Sequence, residues 1–158
     1  GRELTPGIDV REGIEETLLL LGHELRGIEV IREYDDVPGI TVFAGQINQV
    51  WTNLIHNAVR EMAGSGTLTV RTSTVAEGVR VEVSDTGPGI APEHRDEVFT
   101  MHFTTHDGRV DFGLGLGLRL CKDIVARHGG SIEVESEPGD TRFVVTLPVE
   151  PPAGLEVS

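Results

Sequence analysis

Cysteine is almost missing from this sequence: Cys121 stands alone, so the chain cannot close a disulfide on itself. It falls within an apolar helical pattern, which reads it as a small core residue rather than a nucleophile, and a lone thiol fits a reducing compartment. Basic residues are scarce too. Thirteen Lys and Arg stand against 26 Asp and Glu, a formal net charge of −13, which disfavours duplex nucleic acid or an anionic membrane surface as a partner. Any phosphate must therefore be held by local groups. Long hydrophobic runs are absent: the longest, Leu18 to Leu21, falls far short of the roughly 20 residues that cross a bilayer. The opening GRELTPG has no secretory pattern, and no internal repeat or linker divides the chain. The expectation is one soluble, cytoplasmic, monomeric domain over residues 1–150 with an unstructured tail over 151–158, cut from something longer.

Amides, by contrast, are concentrated in one place. Plotted at about 100° per residue, the stretch from Gln46 to Met62 gathers Ile47, Val50, Trp51, Leu54, Ile55, Ala58 and Met62 on one side, a core face. Gln46, Gln49, Asn53, Asn57 and Arg60 fall together on another. Asn has low helix propensity and is usually pushed to caps and turns, so two of them four apart inside an amphipathic helix call for a reason. They bond a neighbouring loop or water, or a carbonyl oxygen coordinates a hard cation such as Mg²⁺.

Around this helix the chain reads as follows. Val10, Ile14, Thr17, Leu18, Leu21 and Leu25 predict a helix ending near Gly27, with Asp9 as N-cap. IEVIREY and ITVF read as a strand pair joined by a turn over Asp35 to Gly39. TLTVRTSTV and VRVEVSD predict a hairpin about Glu77-Gly78. A glycine-rich loop follows, then a short helix from Pro92 to about Phe99, an irregular and mobile stretch from Met101 to Phe112, a helix from Leu114 to His128, and a closing hairpin turning at Gly139-Asp140. The fold class this implies is α+β: a two-layer α/β sandwich with a mixed, mostly antiparallel sheet of about five strands and about three helices on one face.

Two further segments carry candidate chemistry. Asp85-Thr86-Gly87-Pro88-Gly89-Ile90 follows directly from a strand. Its carboxylate only accepts hydrogen bonds, which suits an exocyclic amine, and its glycines permit close backbone approach; a plain Asp-Gly turn reads the same. Gly113-Leu114-Gly115-Leu116-Gly117-Leu118 opens a helix, where exposed N–H groups and the macrodipole favour an anion. It is a phosphate cradle or a hinge with inward leucines, and it matches neither the Walker pattern nor the dinucleotide fingerprint.

Taken together and in order, the Asn-bearing helix, DTGPGI, the stretch Phe99-Thr100-Met101-His102-Phe103-Thr104-Thr105, and GLGLGL resemble the catalytic ATP-binding domain of sensor histidine kinases, within the wider group of gyrase-, Hsp90- and kinase-like ATPases. The resemblance spans about Asp9 to Leu147 and implies ATP with Mg²⁺ held between the Asn-bearing helix and a mobile lid. By that resemblance Asn57 is the Mg²⁺ ligand, Asn53 its neighbour on the nucleotide side and Arg60 a phosphate-binding cation. Asp85 is the adenine-binding acid, and Gly87 and Gly89 let the loop pass the base. Gly113, Gly115, Leu116, Gly117 and Leu118 form the hinge and the phosphate-facing helix start, with Phe99 and Phe103 as lid anchors. It also implies an upstream dimerisation domain carrying the phosphoacceptor histidine, a response regulator as partner, and no membrane contact by this domain. The sequence departs from the pattern where many members have a lid Lys; here His106 stands, with Arg109 nearby.

The related hydrolases carry a Glu one turn before the metal-binding Asn. Here that position is Asn53, and an amide cannot serve as a general base. Phosphoryl transfer needs mainly positioning and charge neutralisation, so the reading is a kinase module, with a hydrolase or a catalytically silent nucleotide binder as alternatives. His23-Glu24-Leu25-Arg26 resembles the phosphoacceptor segment of the same kinases, but it lies too close to Asn53 in sequence to belong to a separate domain and reads as coincidence. His56, His94 and His128 have no ligand spacing.

Overall fold

A computed structural model describes residues 3–99, 104–106 and 109–155. It opens with strand β1 (Leu4–Ile8), which the sequence pattern does not announce, and helix α1 (Val10–Leu20). Asp9 caps α1 as its position implies, accepting from the Arg11 amide at 2.9 Å. The helix stops at Leu20 rather than near Gly27. Leu21 leaves helical geometry ahead of Gly22, a poor helix former, and turns carry the chain through His23 to Gly27.

Strands β2 (Ile28–Tyr34) and β3 (Ile40–Phe43) both form, but not with each other. β3 pairs antiparallel with β1, while β2 runs parallel to β4 (Gly66–Val75). The stretch after β2 is no tight turn because β4 keeps hold of it. Asp35 donates its amide to Thr72 O at 3.1 Å, and the Thr72 and Thr74 hydroxyls bond the Asp35 and Asp36 carbonyls at 3.2 Å each.

Helix α2 (Ala44–Met62) follows, then β4 and β5 (Gly78–Asp85) as the predicted hairpin, and a 3₁₀ turn over Pro92–Glu97. Within the stretch read as irregular, β6 (Thr104–His106) pairs antiparallel with β7 (Arg109–Asp111). The expectation of mobility bears also on residues 101–103 and 107–108, which lie outside the described residues. Helix α3 (Phe112–Arg127) and the hairpin of β8 (Ser131–Glu137) and β9 (Asp140–Leu147) complete the chain.

The main sheet has five strands in the order β2-β4-β5-β9-β8, parallel only between β2 and β4. Alternation sends Leu68, Val70, Val79, Val81, Val83, Phe143, Val145 and Leu147 to the helix side, all buried. The apolar face of α2 meets them with Trp51, Leu54 and Ile55, each fully buried, so hydrophobic burial holds the two layers together. The opposite face of the sheet is charged, with Arg71 between Glu33 and Glu82 at 3.0 and 3.5 Å. This is the expected two-layer α/β sandwich, with three helices over one side of a mixed sheet.

One buried histidine joins the ends of two helices. His128, just past α3, donates through Nδ1 to Ile124 O at 2.8 Å and accepts the Phe43 amide on Nε2 at 3.1 Å, which fixes a neutral tautomer. Burial depresses its pKa further, and the nearby Arg127 adds to that. Beyond β9, Val149 O accepts from Thr41 N at 2.9 Å and Pro152 lies over Gly129. Among the described residues no helix is long and apolar enough to cross a membrane.

Candidate functional site

β5 buries Val79, Val81 and Val83 and, in the same phase, ends on Asp85. Its carboxylate is 2% exposed and takes one described hydrogen bond, from Gly87 N at 2.9 Å. Burial pushes its pKa up to about 6; the Gly87 amide works against this, while Glu61 and Asp140 add to it. The loop beyond is pressed between α2 and the β8–β9 hairpin. A Cβ on Gly87 would stand 2.9 Å from Asp85 Oδ1 and 3.1 Å from Glu61 O, so a side chain there would wedge the carboxylate away from α2. Gly89 has φ +91°, and its Cβ would meet Glu137 O at 2.8 Å.

Register extends this end of the sheet into a polar row. Asp85 lies opposite Thr141, and Thr141 opposite Ser136. Both hydroxyl residues are 3% exposed and 2.7 Å apart through their oxygens. Sequence reasoning passed over them, although the signal was present: they hold core-phase positions of strands whose other core-phase residues, Ile132, Val134, Phe143 and Val145, are apolar.

The amide stripe of α2 resolves into two behaviours. Asn53 donates its Nδ2 to Gly117 O of α3 at 3.2 Å, tying the two helices together. Asn57, only 6% exposed, has an Oδ1 that is buried with no hydrogen-bond partner among the described residues. Such an acceptor carries an uncompensated desolvation cost, which a cation or donor in the site would relieve. Arg60 stands exposed in the last turn of α2. From Asn53 at α3 to Glu61 beside Gly87 the helix advances eight residues, about 12 Å, so one helix joins the Asp85 loop to the start of α3 with Asn57 midway.

α3 begins at Phe112, two residues before the predicted start, so Gly113, Gly115 and Gly117 lie in its first two turns with Leu116 between them. N–H groups in the first turn have no partner within the helix and sit at its positive end. Leu118 is buried in the core. Phe99 packs edge-on against Phe143 at 5.9 Å between ring centroids, with Lys122 Nζ 5.8 Å above it, so this ring is anchored on the sheet and on α3. Phe103 lies outside the described residues, as do the side chains of His106 and Arg109.

A buried carboxylate thus ends the central strand, a buried neutral oxygen stands on α2, and a glycine-rich start opens α3. The chain belongs to the histidine kinase-, DNA gyrase B- and HSP90-like ATPase family, whose sequence profile matches residues 44–151. Within that family it is an ATP-binding catalytic domain of the sensor histidine kinase kind. It is 34% identical to the sensory histidine kinase/phosphatase NtrB of Vibrio alginolyticus, over 91% of this chain and 45% of that protein. The catalytic domain of the histidine kinase ThkA, in a nucleotide-free form, superposes with a TM-score of 0.83 at 29% identity, covering 94% of this chain and 97% of that one. ThkA in complex with the response regulator TrrA gives a TM-score of 0.78 at 27% identity, over 92% of this chain and 42% of that one. Full-length ShkA in complex with AMPPNP gives 0.78 at 28% identity, over 96% of this chain and 32% of that one. The chain thus spans less than half the length of the curated relatives it matches.

Proposed function

We propose that this domain presents Mg²⁺-ATP for phosphoryl transfer to a histidine on a separate dimerisation domain, and that a cytoplasmic response regulator receives the phosphoryl group from there. The buried, unpartnered Asn57 oxygen carries this reading. Among the described residues no group of three His, Cys, Asp or Glu could hold a metal, so a dedicated cage is not what supports a cation here. A single carboxamide oxygen fits a hard ion that keeps its waters and shares phosphate oxygens. Mg²⁺ held there would neutralise charge on the phosphates.

The remaining roles are assigned to the elements around α2. Asp85 accepts the 6-amino group of adenine, while Gly87 and Gly89 let the loop lie against the base. Backbone of the first α3 turns, from Gly113 through Gly115, Leu116, Gly117 and Leu118, faces the phosphates, with Arg60 a further cation toward them. Asn53 sets α3 against α2. An Asn at this position favours transfer over hydrolysis. It cannot take up a proton near neutral pH, and its Nδ2 already donates to Gly117 O.

Calorimetry with a non-hydrolysable ATP analogue should give tighter binding with Mg²⁺ than without, and transfer should follow once the acceptor domain is supplied. Equal affinity in both conditions would remove the metal role of Asn57. Binding with no transfer to the acceptor domain would favour the silent nucleotide binder.

A further inference from the structure

Four leucines follow one another at the end of α1, and the fold uses only part of them. Leu18 is 4% exposed in the core and Leu21 is half-buried against it, whereas Leu19 and Leu20 stand 83% and 79% exposed. Among the described residues no other large apolar side chain is exposed to this degree. Helix propensity does not call for them, since Lys, Gln and Glu hold a solvated helix position about as well. A single exposed leucine is ordinary. Two in contiguous positions, on a fold that otherwise hides its large apolar groups, mark a contact surface.

The charges around the pair define what fits it. At about 100° per residue Glu12, Glu16, Leu19 and Leu20 fall within an arc of roughly 100°, on the side of α1 opposite Ile14 and Leu18. Glu16 and Glu12 stand one and two turns before the leucines, Glu24 follows them in the turns after the helix, and all three acids are exposed. Neighbouring ions are already matched: Arg11 lies 2.8 Å from Asp9 and 3.3 Å from Asp36, and Arg32 lies 2.7 Å from Glu15. Glu12, Glu16 and Glu24 have no such partner among the described residues, and Arg26 is the one Lys or Arg in the turns. An apolar step with acids before and after it is complementary to an apolar stripe flanked by Lys or Arg. A second copy of this chain does not fit, because a twofold contact would gather the same acids around the same leucines. An anionic membrane is repelled in the same way.

We propose that the outer face of α1 docks a basic amphipathic helix of a partner polypeptide, its apolar stripe seated on Leu19 and Leu20 and its cations set against Glu12, Glu16 and Glu24. The proposal does not depend on nucleotide binding. The surface is small, so the contact belongs to the weak, transient class, and its charges govern association rate and salt dependence. α1 meets α2 through Thr17 and Thr52, whereas α3 meets it through Asn53. A helix on the outer face of α1 therefore leaves the start of α3 open, and such a partner stays docked while the nucleotide site works.

The test titrates the chain against a fluorescein-labelled amphipathic peptide of leucine and lysine, and against its counterpart with glutamate in place of lysine, followed by fluorescence anisotropy. Wild type should bind the lysine peptide and not the glutamate one. Leu19→Ser with Leu20→Ser should weaken binding by about tenfold or more, since a few apolar anchors carry most of such a contact. Glu12→Gln with Glu16→Gln should weaken it about three- to tenfold at low salt and hardly at all near 1 M salt, where exposed charges are screened. All four side chains are exposed, so both variants should melt with wild type and bind an ATP analogue unchanged. Equal affinity of the leucine variant for the lysine peptide would overturn the proposal, because a net charge of −13 attracts a cationic peptide anywhere on the surface. A dimer in sedimentation equilibrium that the leucine variant abolishes would overturn it in favour of a second copy. Leucine-dependent binding to vesicles of anionic phospholipid would overturn it in favour of a membrane. A wild type that binds the lysine peptide but no ATP analogue would remove the nucleotide reading and leave this one standing.

Discussion

A carboxylate that is 2% exposed costs stability whenever it is ionised, and Asp85 bears that cost in the absence of a ligand. Its pKa in the fold is about 6 against an ordinary value of 3.8. The folded state therefore binds the extra proton between these values, and Asp85 lowers stability as pH rises from about 4 to about 6, by on the order of 2–3 kcal/mol. Nucleotide binding has the opposite preference, since only the ionised carboxylate accepts the amine without offering a competing donor. Affinity for ATP should rise with pH through about 6 and level off above it. Asp85→Asn should cost about 1.5–3 kcal/mol of binding and remove this stability loss on raising the pH. Calorimetry and thermal melts from pH 4.5 to 8 check both, and full affinity in the variant would rule out the adenine role. Asn57→Ala makes a different prediction: the affinity gained from Mg²⁺ should vanish while metal-free binding stays within about twofold, because the lost group touches metal rather than base. At this scale the sequence was legible where a polar residue broke an expected pattern. Asp85 ended an alternating strand and Asn57 interrupted a helix, whereas Ser136 and Thr141 look like ordinary strand residues until register places them beside the acid.

Among the elements, the fit between pattern and structure depends on how far each partner lies in sequence. The β4–β5 and β8–β9 hairpins close over short turns, so local alternation was enough to predict them. The pairing of β3 with β1 and of β2 with β4 depends on contacts across α1 and α2, which no local pattern encodes, and α1 ended early because packing and Gly22 outweighed its apolar spacing. The join between α3 and the start of α2 is also non-local and hangs on His128. Its pKa is lowered by burial, so the unfolded chain binds the proton more readily. The stability from neutral His128 is present above about 6.5 and is lost as pH falls toward the lowered folded value. This trend opposes that of Asp85, and in the window below about 6 each should offset part of the other in wild type. His128→Phe keeps a ring but strands the Phe43 amide, and should cost about 1–3 kcal/mol. Urea unfolding of the variant should then show stability falling as pH rises through this window, the Asp85 component alone. A profile parallel to wild type would mean that His128 carries none of the pH dependence.

At the level of the whole molecule, the reach of the bound phosphate limits what this domain can do alone. α1 meets α2 on the side of Asn48 and Thr52, with Thr17 Oγ1 3.3 Å from Thr52 Oγ1, whereas α3 meets it through Asn53. His23 is exposed in the turns after α1, not in the helix itself, and these turns run to Gly27, against the backbone of Gly64 past the C-terminal end of α2. A phosphate at the start of α3 would thus stand on a different face of α2 from α1, whose chain continues into the HELR segment. Well-oriented reactants gain effective molarities of about 10⁵ M or more, roughly 7 kcal/mol of barrier, and that gain disappears when the acceptor is out of line. We therefore expect this domain to bind ATP without phosphorylating itself at His23 or elsewhere, and transfer to appear only when a domain bearing the acceptor histidine is joined or added. Incubation with γ-labelled ATP and Mg²⁺ would compare this chain, its His23→Ala variant and a longer protein that includes the acceptor domain. Acid-labile label should accumulate on the longer protein alone; label on this chain that disappears in His23→Ala would make His23 the acceptor and require a route across α2 that the packing of these helices does not provide.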